Sequence, residues 1–248
     1  MSPAETGMSS RIAVIALGLS SLLLAEDSAR QKVQISKTEH FDFRPGGVLR
    51  LKNSIGELTV EGWDHNDVEI TTVKSTKMEY TPQEREKAVQ ELDRVQVTAQ
   101  RDGDELVITT GFPRSWCPLG AASFYLDYRI KVPASTRLIA DHNAGEVHVD
   151  NLRGDIQVAL RQGEITLHLP QDGKYTTDAK SNFGSVFSDF PGQEKRRFWL
   201  VGHRIEKDVS PGAHALNLRV GCGDIIILKT RIPKMPGPSS PAPKQDGA

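Results

Sequence analysis

The chain has 248 residues, 38% hydrophobic and 25% charged, which permits a folded core in one extended β domain or two small ones. Its formal net charge is −1, so no field of one sign is available to steer it onto nucleic acid or acidic lipid, and a nucleic-acid function is disfavoured. The one tight basic cluster, Lys195, Arg196 and Arg197, sits in a polar stretch containing Gly and Pro and reads as a solvated loop.

Residues 1–29 read as a signal peptide or an N-terminal anchor. The apolar run Ile12–Ala25 has the length of a signal-peptide core and is short for a membrane span, which needs roughly twenty residues. Glu26, Asp27 and Ser28 follow and do not suit a bilayer. Cleavage after Ala25 or Ala29 would release the remainder into an exported compartment (periplasm, envelope or medium). An uncleaved segment would tether it, and this is the chain's one expected contact with a membrane. Export also governs Cys117, in the stretch SWCPLG, and Cys222, in GCGD. An oxidising compartment permits them to pair, and two inert thiols are the alternative.

A β-rich region is expected over residues 33–133. Val48–Lys52, Leu58–Val60 and Val68–Val73 alternate apolar and polar residues as strands do. One helix is expected at 82–94, with Thr81 as N-cap, Pro82 in the first turn, and Glu84 and Glu86 at the positive helix end. Its apolar stripe, Ala88, Val89 and Leu92, is narrow, as in a helix laid across a sheet. Arg101–Asp104 then joins two alternating runs, and a turn centred on Asp102–Gly103 predicts a hairpin. In FYLDYRIKV, Phe124, Leu126, Tyr128 and Ile130 share one parity and predict another strand.

Residues 134–230 form a second region, built from glycine-led repeats, and residues 231–248, rich in Pro, Gly and Ser, read as a disordered tail. Six glycines precede short alternating runs: Gly56, Gly145, Gly154, Gly163, Gly184 and Gly223. Three of them are nine apart. The second and fourth residues after the glycine are aliphatic, as in Val147 and Val149, Ile156 and Val158, Ile165 and Leu167, and Ile225 and Ile227. That alternation buries one face. The glycines suit tight corners, and the whole predicts a mainly β fold, a β-solenoid or β-roll of stacked short strands with one covering helix. A nine-residue step is half a coil, so alternate repeats fall on different faces.

The stretch HNAGEVHVDNLRGDIQVALRQGEITLHLP, with NFGSVFSDF and VGCGDIII after it, resembles the bacterial "putative adhesin" family of domains of unknown function. The match covers roughly residues 138–229 and, more loosely, 51–73. The resemblance implies an exported, non-enzymatic envelope protein of stacked strands. The family has no established catalytic residues, so none are carried over. The central helix and the loop around Cys117 depart from the family pattern.

The first residue after the glycine is acidic in Glu57, Glu146, Asp155, Glu164 and Asp224, with Ser185 the exception. Stacked, these carboxylates could hold Ca²⁺, but calcium-binding β-rolls use clustered Gly and Asp that are missing here, and a solvated face is the expectation. No cofactor is expected. His148 and His168 point outward by parity and lack the close spacing of a zinc motif. There is no GxSxG and no P-loop. Trp116, beside Cys117 and Pro118, is the most loop-like tryptophan and a candidate ligand contact. The candidate surface residues are therefore Trp116, Glu146, Asp155, Glu164, His148 and His168. The expected function is a non-catalytic envelope or surface module, adhesin-like, that binds an envelope polymer or protein along a strand face. A glycan-active enzyme on a β-helical scaffold and a structural spacer are the alternatives.

Overall fold

Alternating aliphatic and polar residues oblige a strand to bury one face, and most elements of this chain do so. The computed structural model describes residues 30–112, 124–190, 193–196, 203–206 and 213–230. The apolar run Ile12–Ala25, the loop with Trp116 and Cys117, and the tail 231–248 lie outside these residues. The described elements, in order, are β1 (Gln31–Asp42), β2 (Val48–Trp63), β3 (Asp67–Tyr80), α1 (Arg85–Asp93), β4 (Gln96–Asp102), β5 (Glu105–Gly111), β6 (Phe124–Pro133) and β7 (Arg137–Asp150). Then follow β8 (Ile156–Pro170), β9 (Tyr175–Phe183), β10 (Val186–Ser188), β11 (Gln193–Arg196), β12 (His203–Glu206), β13 (His214–Cys222) and β14 (Ile225–Thr230).

Hydrogen bonding joins all 14 strands into one sheet that folds over on itself as two facing layers. Three long strands, β2, β7 and β8, belong to both layers. Each crosses the first layer, bends near a glycine and continues in the second. Thus β2 pairs with β5 over Val48–Lys52 and with β6 over Glu57–Trp63, and β8 pairs with β13 before its bend and with β14 after it. The first layer runs β4-β5-β2-β7-β8-β13-β9-β12-β11 and the second β1-β3-β6-β2-β7-β8-β14-β10. The bent strands and their partners make six parallel rungs: β5/β6, β2, β7, β8, β13/β14 and β9/β10. Antiparallel β4, β3 and β1 close one end, and β12 and β11 extend the other.

This is the expected β-solenoid-like stack, but the rungs do not follow chain order. β2 sits between β5/β6 and β7, and β13/β14 is inserted between β8 and β9/β10. The pairing of β2 with β7 in both layers carries the sheet without a break across residues 133 and 134.

The corners show why glycine recurs. Gly56 pairs in register with Gly145, and Gly145 with Gly163. Gly223 and Gly184 extend the column, and all five have φ between +95° and +146°. A Cβ on any of them would lie 1.7 to 2.1 Å from a carbonyl oxygen of the adjacent rung. The five backbones approach too closely for any side chain. Gly154 is not in this column: its φ is not in the left-handed region, and a Cβ there would meet Thr136 at the opposite edge of the stack. Gly145 and Gly163, 18 residues apart, mark one full rung, and Gly154 marks its midpoint.

The space between the layers is filled by the aliphatic residues of the alternation. Leu58, Val60, Val147, Val149, Ile156, Val158, Ile165, Leu167, Ile225 and Ile227 are all fully buried. Phe124, Leu126, Tyr128 and Ile130 point inward together, as their parity predicts. The Tyr128 hydroxyl and Thr110 Oγ1, 2.6 Å apart, tie the layers across the core. Burial pushes the Tyr128 phenol far up, with the hydrogen bond from Thr110 opposing it.

The helix begins through a 3-10 turn at Pro82–Glu84. The Glu84 carboxylate accepts from the Thr81 N–H at 3.2 Å and the Thr81 hydroxyl at 3.1 Å, which holds that carboxyl below its ordinary range. Ala88 and Leu92 are buried against the core from over β1 and β3, and Val89 is half-buried. The β4–β5 hairpin differs from expectation by one place. Asp102 pairs with Glu105, so the loop residues are Gly103 and Asp104, with Gly103 at φ +61°.

Candidate functional site

Because the rungs are in register, each outward position of one strand lines up with its counterpart on the next. On the outer face of the second layer, Asp127, Glu57, Glu146 and Glu164 occupy one row, and Asp224 and Ser185 continue it. The acidic positions read from the sequence therefore do stack, with one exception. Asp155 follows Gly154 at the opposite edge, where its carboxylate accepts from the Ala215 N–H at 2.9 Å and lies 3.7 Å from His214 Nδ1. Both edges carry a Gly-acid pair, and sequence alone does not separate them.

The row is not a cluster. Its neighbours lie one strand spacing apart, about 4.8 Å, and among the described residues no three His, Cys, Asp or Glu side chains converge to hold a metal ion. The members engage locally instead. Glu146 lies 3.2 Å from His148 Nε2, and Glu164 accepts from the Thr166 hydroxyl at 2.9 Å. The Ser185 N–H and hydroxyl both donate to Asp224, at 2.6 and 2.8 Å, and these bonds hold the Asp224 carboxyl below its ordinary value. His168, two rows away, lies 2.7 Å from Asp150. Cys222 is exposed at the end of β13.

The first layer carries the concave feature. Counting back from the column glycines, the positions four and two places before them are Asp141 and Asn143, Ala159 and Arg161, Lys180 and Asn182, and Arg219 and Gly221. Together with Asn53 these side chains border a groove of about 530 Å³ on the outer side of the bends. The groove exists because the middle positions are small. Ala159 has only a methyl group, and Gly221 has no side chain and no room for one, since a Cβ there would lie 2.4 Å from the Arg161 carbonyl oxygen. Larger residues stand around them: Arg161 and Arg219 on the same two strands, and Asp141, Asn143, Lys180 and Asn182 on the flanking ones.

The walls are polar and predominantly cationic. Arg219 is held in place: Nη1 donates to the Asp178 carbonyl at 2.8 Å and Nη2 pairs with the Asp178 carboxylate, which also accepts from Arg204 Nε at 3.1 Å. Partial burial would raise the Asp178 carboxyl, but the two arginines outweigh it and hold it low. Arg161 and Lys180 have no carboxylate partner among the described residues. Asp141, on β7, is the one acid in the lining. The amides are pre-arranged: Asn143 Nδ2 donates to Asn53 Oδ1 at 2.8 Å, and Asn53, at φ +59°, donates to the Thr110 carbonyl at 3.0 Å.

Beneath the groove, His142 is 3% exposed. Its Nε2 faces the Gly56 carbonyl at 3.0 Å, so Nε2 carries the proton, and Nδ1 accepts from the Ser54 hydroxyl at 2.7 Å. Burial lowers the His142 pKa, with its bonds to the backbone of Gly56 and Ala144 opposing. A serine beside a histidine has the outline of a nucleophile and base, but Ser54 is 1% exposed and the far nitrogen is committed to a backbone carbonyl. The pair satisfies polar groups where the strands bend.

Two facing layers of bent, in-register strands, gathered on a glycine column, define a rung-stack protein. The chain belongs to the Toastrack DUF4097 family, whose model matches residues 49–228. That span begins in β2 and ends in β14, and so takes in all six rungs. Similar solved structures include a "putative cell adhesion protein" from Clostridium sporogenes, 13% identical over 79% of this chain and 100% of that one, with a TM-score of 0.49. A "putative adhesin" from Bacteroides fragilis is 10% identical over 78% of this chain and 97% of its own, TM-score 0.25. Another from Parabacteroides merdae is 8% identical over 80% and 97%, TM-score 0.23. Among curated proteins none matches the chain.

Proposed function

We propose that this chain is an exported, non-catalytic module of the cell envelope or surface, adhesin-like, that binds an extended polymer or protein segment along a strand face. The observation that carries this reading is the groove: a depression spanning β7, β8, β13 and β9, bordered mainly by polar and charged side chains. Repeated strands build long, regular surfaces suited to extended partners, and a concave surface with convergent polar groups is where binding is first sought. Export is supported by the run Ile12–Ala25. Among the described residues no helix is long and apolar enough to cross a membrane.

The test is a panel of cell-wall and extracellular polysaccharides, scored at once for retention of the chain and for release of reducing ends. Retention without release supports the reading. Release assigns a glycan-active enzyme, and neither result leaves a spacer. Fractionation of the native host with N-terminal sequencing tests export: a mature chain beginning after Ala25 or Ala29 supports it, and an intact chain in the soluble cytoplasmic fraction contradicts it.

A further inference from the structure

We propose that the groove on the first layer is a site for an acidic polysaccharide, one bearing carboxylates on its sugar rings; this rests on the reading of the chain as a polymer-binding module. Charge supplies the first argument. The lining contributes three cations against one carboxylate, and Asp178 engages only Arg219 of the three. Arg161 on β8 stands beside Gly221, which no side chain fills, and Lys180 on β9 stands beside Arg219, one outward position further along β13. Two cations without a carboxylate partner among the described residues, placed diagonally across β13, suit an anionic group seated between them, since charge-assisted hydrogen bonds are stronger than neutral ones.

The rest of the lining suits sugar hydroxyls. Asp141 lies three strands from Lys180, about 14 Å away at the usual strand spacing, and with Asn143 and Asn182 it offers acceptors and donors at the far wall and along one rim. The lining contains no aromatic residue other than the buried His142. The groove therefore lacks the platform on which a neutral, flat polysaccharide would stack, and its recognition has to come from charge and hydrogen bonds.

The experiment uses the full chain and polygalacturonate as probe, with dextran as the neutral comparator, in titrations at low and at physiological salt. Polygalacturonate is expected to bind, dextran not to, and added salt to weaken the binding. Arg161→Glu and Lys180→Glu are each expected to weaken polygalacturonate binding at least tenfold. Arg129→Glu, on the outer face of the second layer, is expected to change it less than twofold. Unchanged melting of each exposed-site variant shows that it is folded. If dextran binds as well as polygalacturonate, or if Arg161→Glu and Arg129→Glu have equal effects, the acidic-glycan site is overturned while polymer binding stands. If neither these polymers nor the wider panel is retained, both fall together.

Discussion

Replacing Gly163 by alanine tests the glycine column. Gly163 has φ +134°, and a Cβ there would lie 1.7 Å from the Gly145 carbonyl oxygen. Holding an L-residue in such a conformation costs about 1–3 kcal/mol. The clash adds to this, because the obstructing atom is backbone on a strand paired on both sides. Relief requires β7 and β8 to part at the bend, with each lost ladder bond costing about 1 kcal/mol. The sum is about 3–5 kcal/mol, at the upper end for a single substitution, which corresponds to a fall in Tm of roughly 6–20 °C for a chain of this size. Gly103→Ala is the control: Gly103 also has positive φ, at +61°, but nothing lies within 4 Å of its added Cβ. It should lose only about 1–2 kcal/mol. Urea and thermal unfolding followed by far-ultraviolet circular dichroism compare the two. If Gly163→Ala is no less stable than Gly103→Ala, close backbone approach does not set the corner.

Other consequences can be checked in the same way. Tyr128→Phe strands the buried Thr110 hydroxyl and should cost about 1–3 kcal/mol, whereas the double variant with Thr110→Val should recover most of it in urea melts. His142 contributes a pH dependence of defined sign. Its folded-state pKa lies below the ordinary 6.5, so the unfolded chain takes up the proton first, and stability falls as pH drops from about 6.5 toward the lowered value. His142→Asn should lack that loss; parallel Tm curves for both proteins between pH 7.5 and 5 would refute the assignment. Asp224→Ala removes the acceptor for Ser185 and should speed amide exchange at Ser185–Ser188 with little change in Tm. Unchanged exchange there would show that the bond does not hold the last rung.

The local rules were legible because they act over a few residues. Val147 and Val149 announce the buried face through their spacing, and Thr81, Pro82 and Glu84 announce the helix through end chemistry. The rung order was not legible. The insertion of β13/β14 between β8 and β9/β10 is decided by pairing between segments far apart in sequence, which local alternation does not encode. Asp155 looks equivalent to Glu146 and Glu164 in sequence because both edges of the stack use a glycine followed by an acid. The groove is hidden for a related reason: the alternation that follows each glycine leads toward the acidic row, while the groove residues precede the glycine. The same repeats read backward give Asp141, Lys180 and Arg219 at the fourth place and Arg161 and Gly221 at the second. Those positions, set around two small residues, were the available signal. Trp116 lies outside the described residues.

The most direct test of polymer binding on the first layer is a footprint of the bound polymer by amide hydrogen exchange on the full chain, with and without saturating polygalacturonate. The account predicts slowed exchange in the segments that carry Asp141, Arg161, Lys180 and Asn182, and Arg219 to Gly221, with the acidic row at Glu57, Glu146 and Glu164 unaffected. Protection confined to the second layer, or none in the groove segments under saturation, would contradict it.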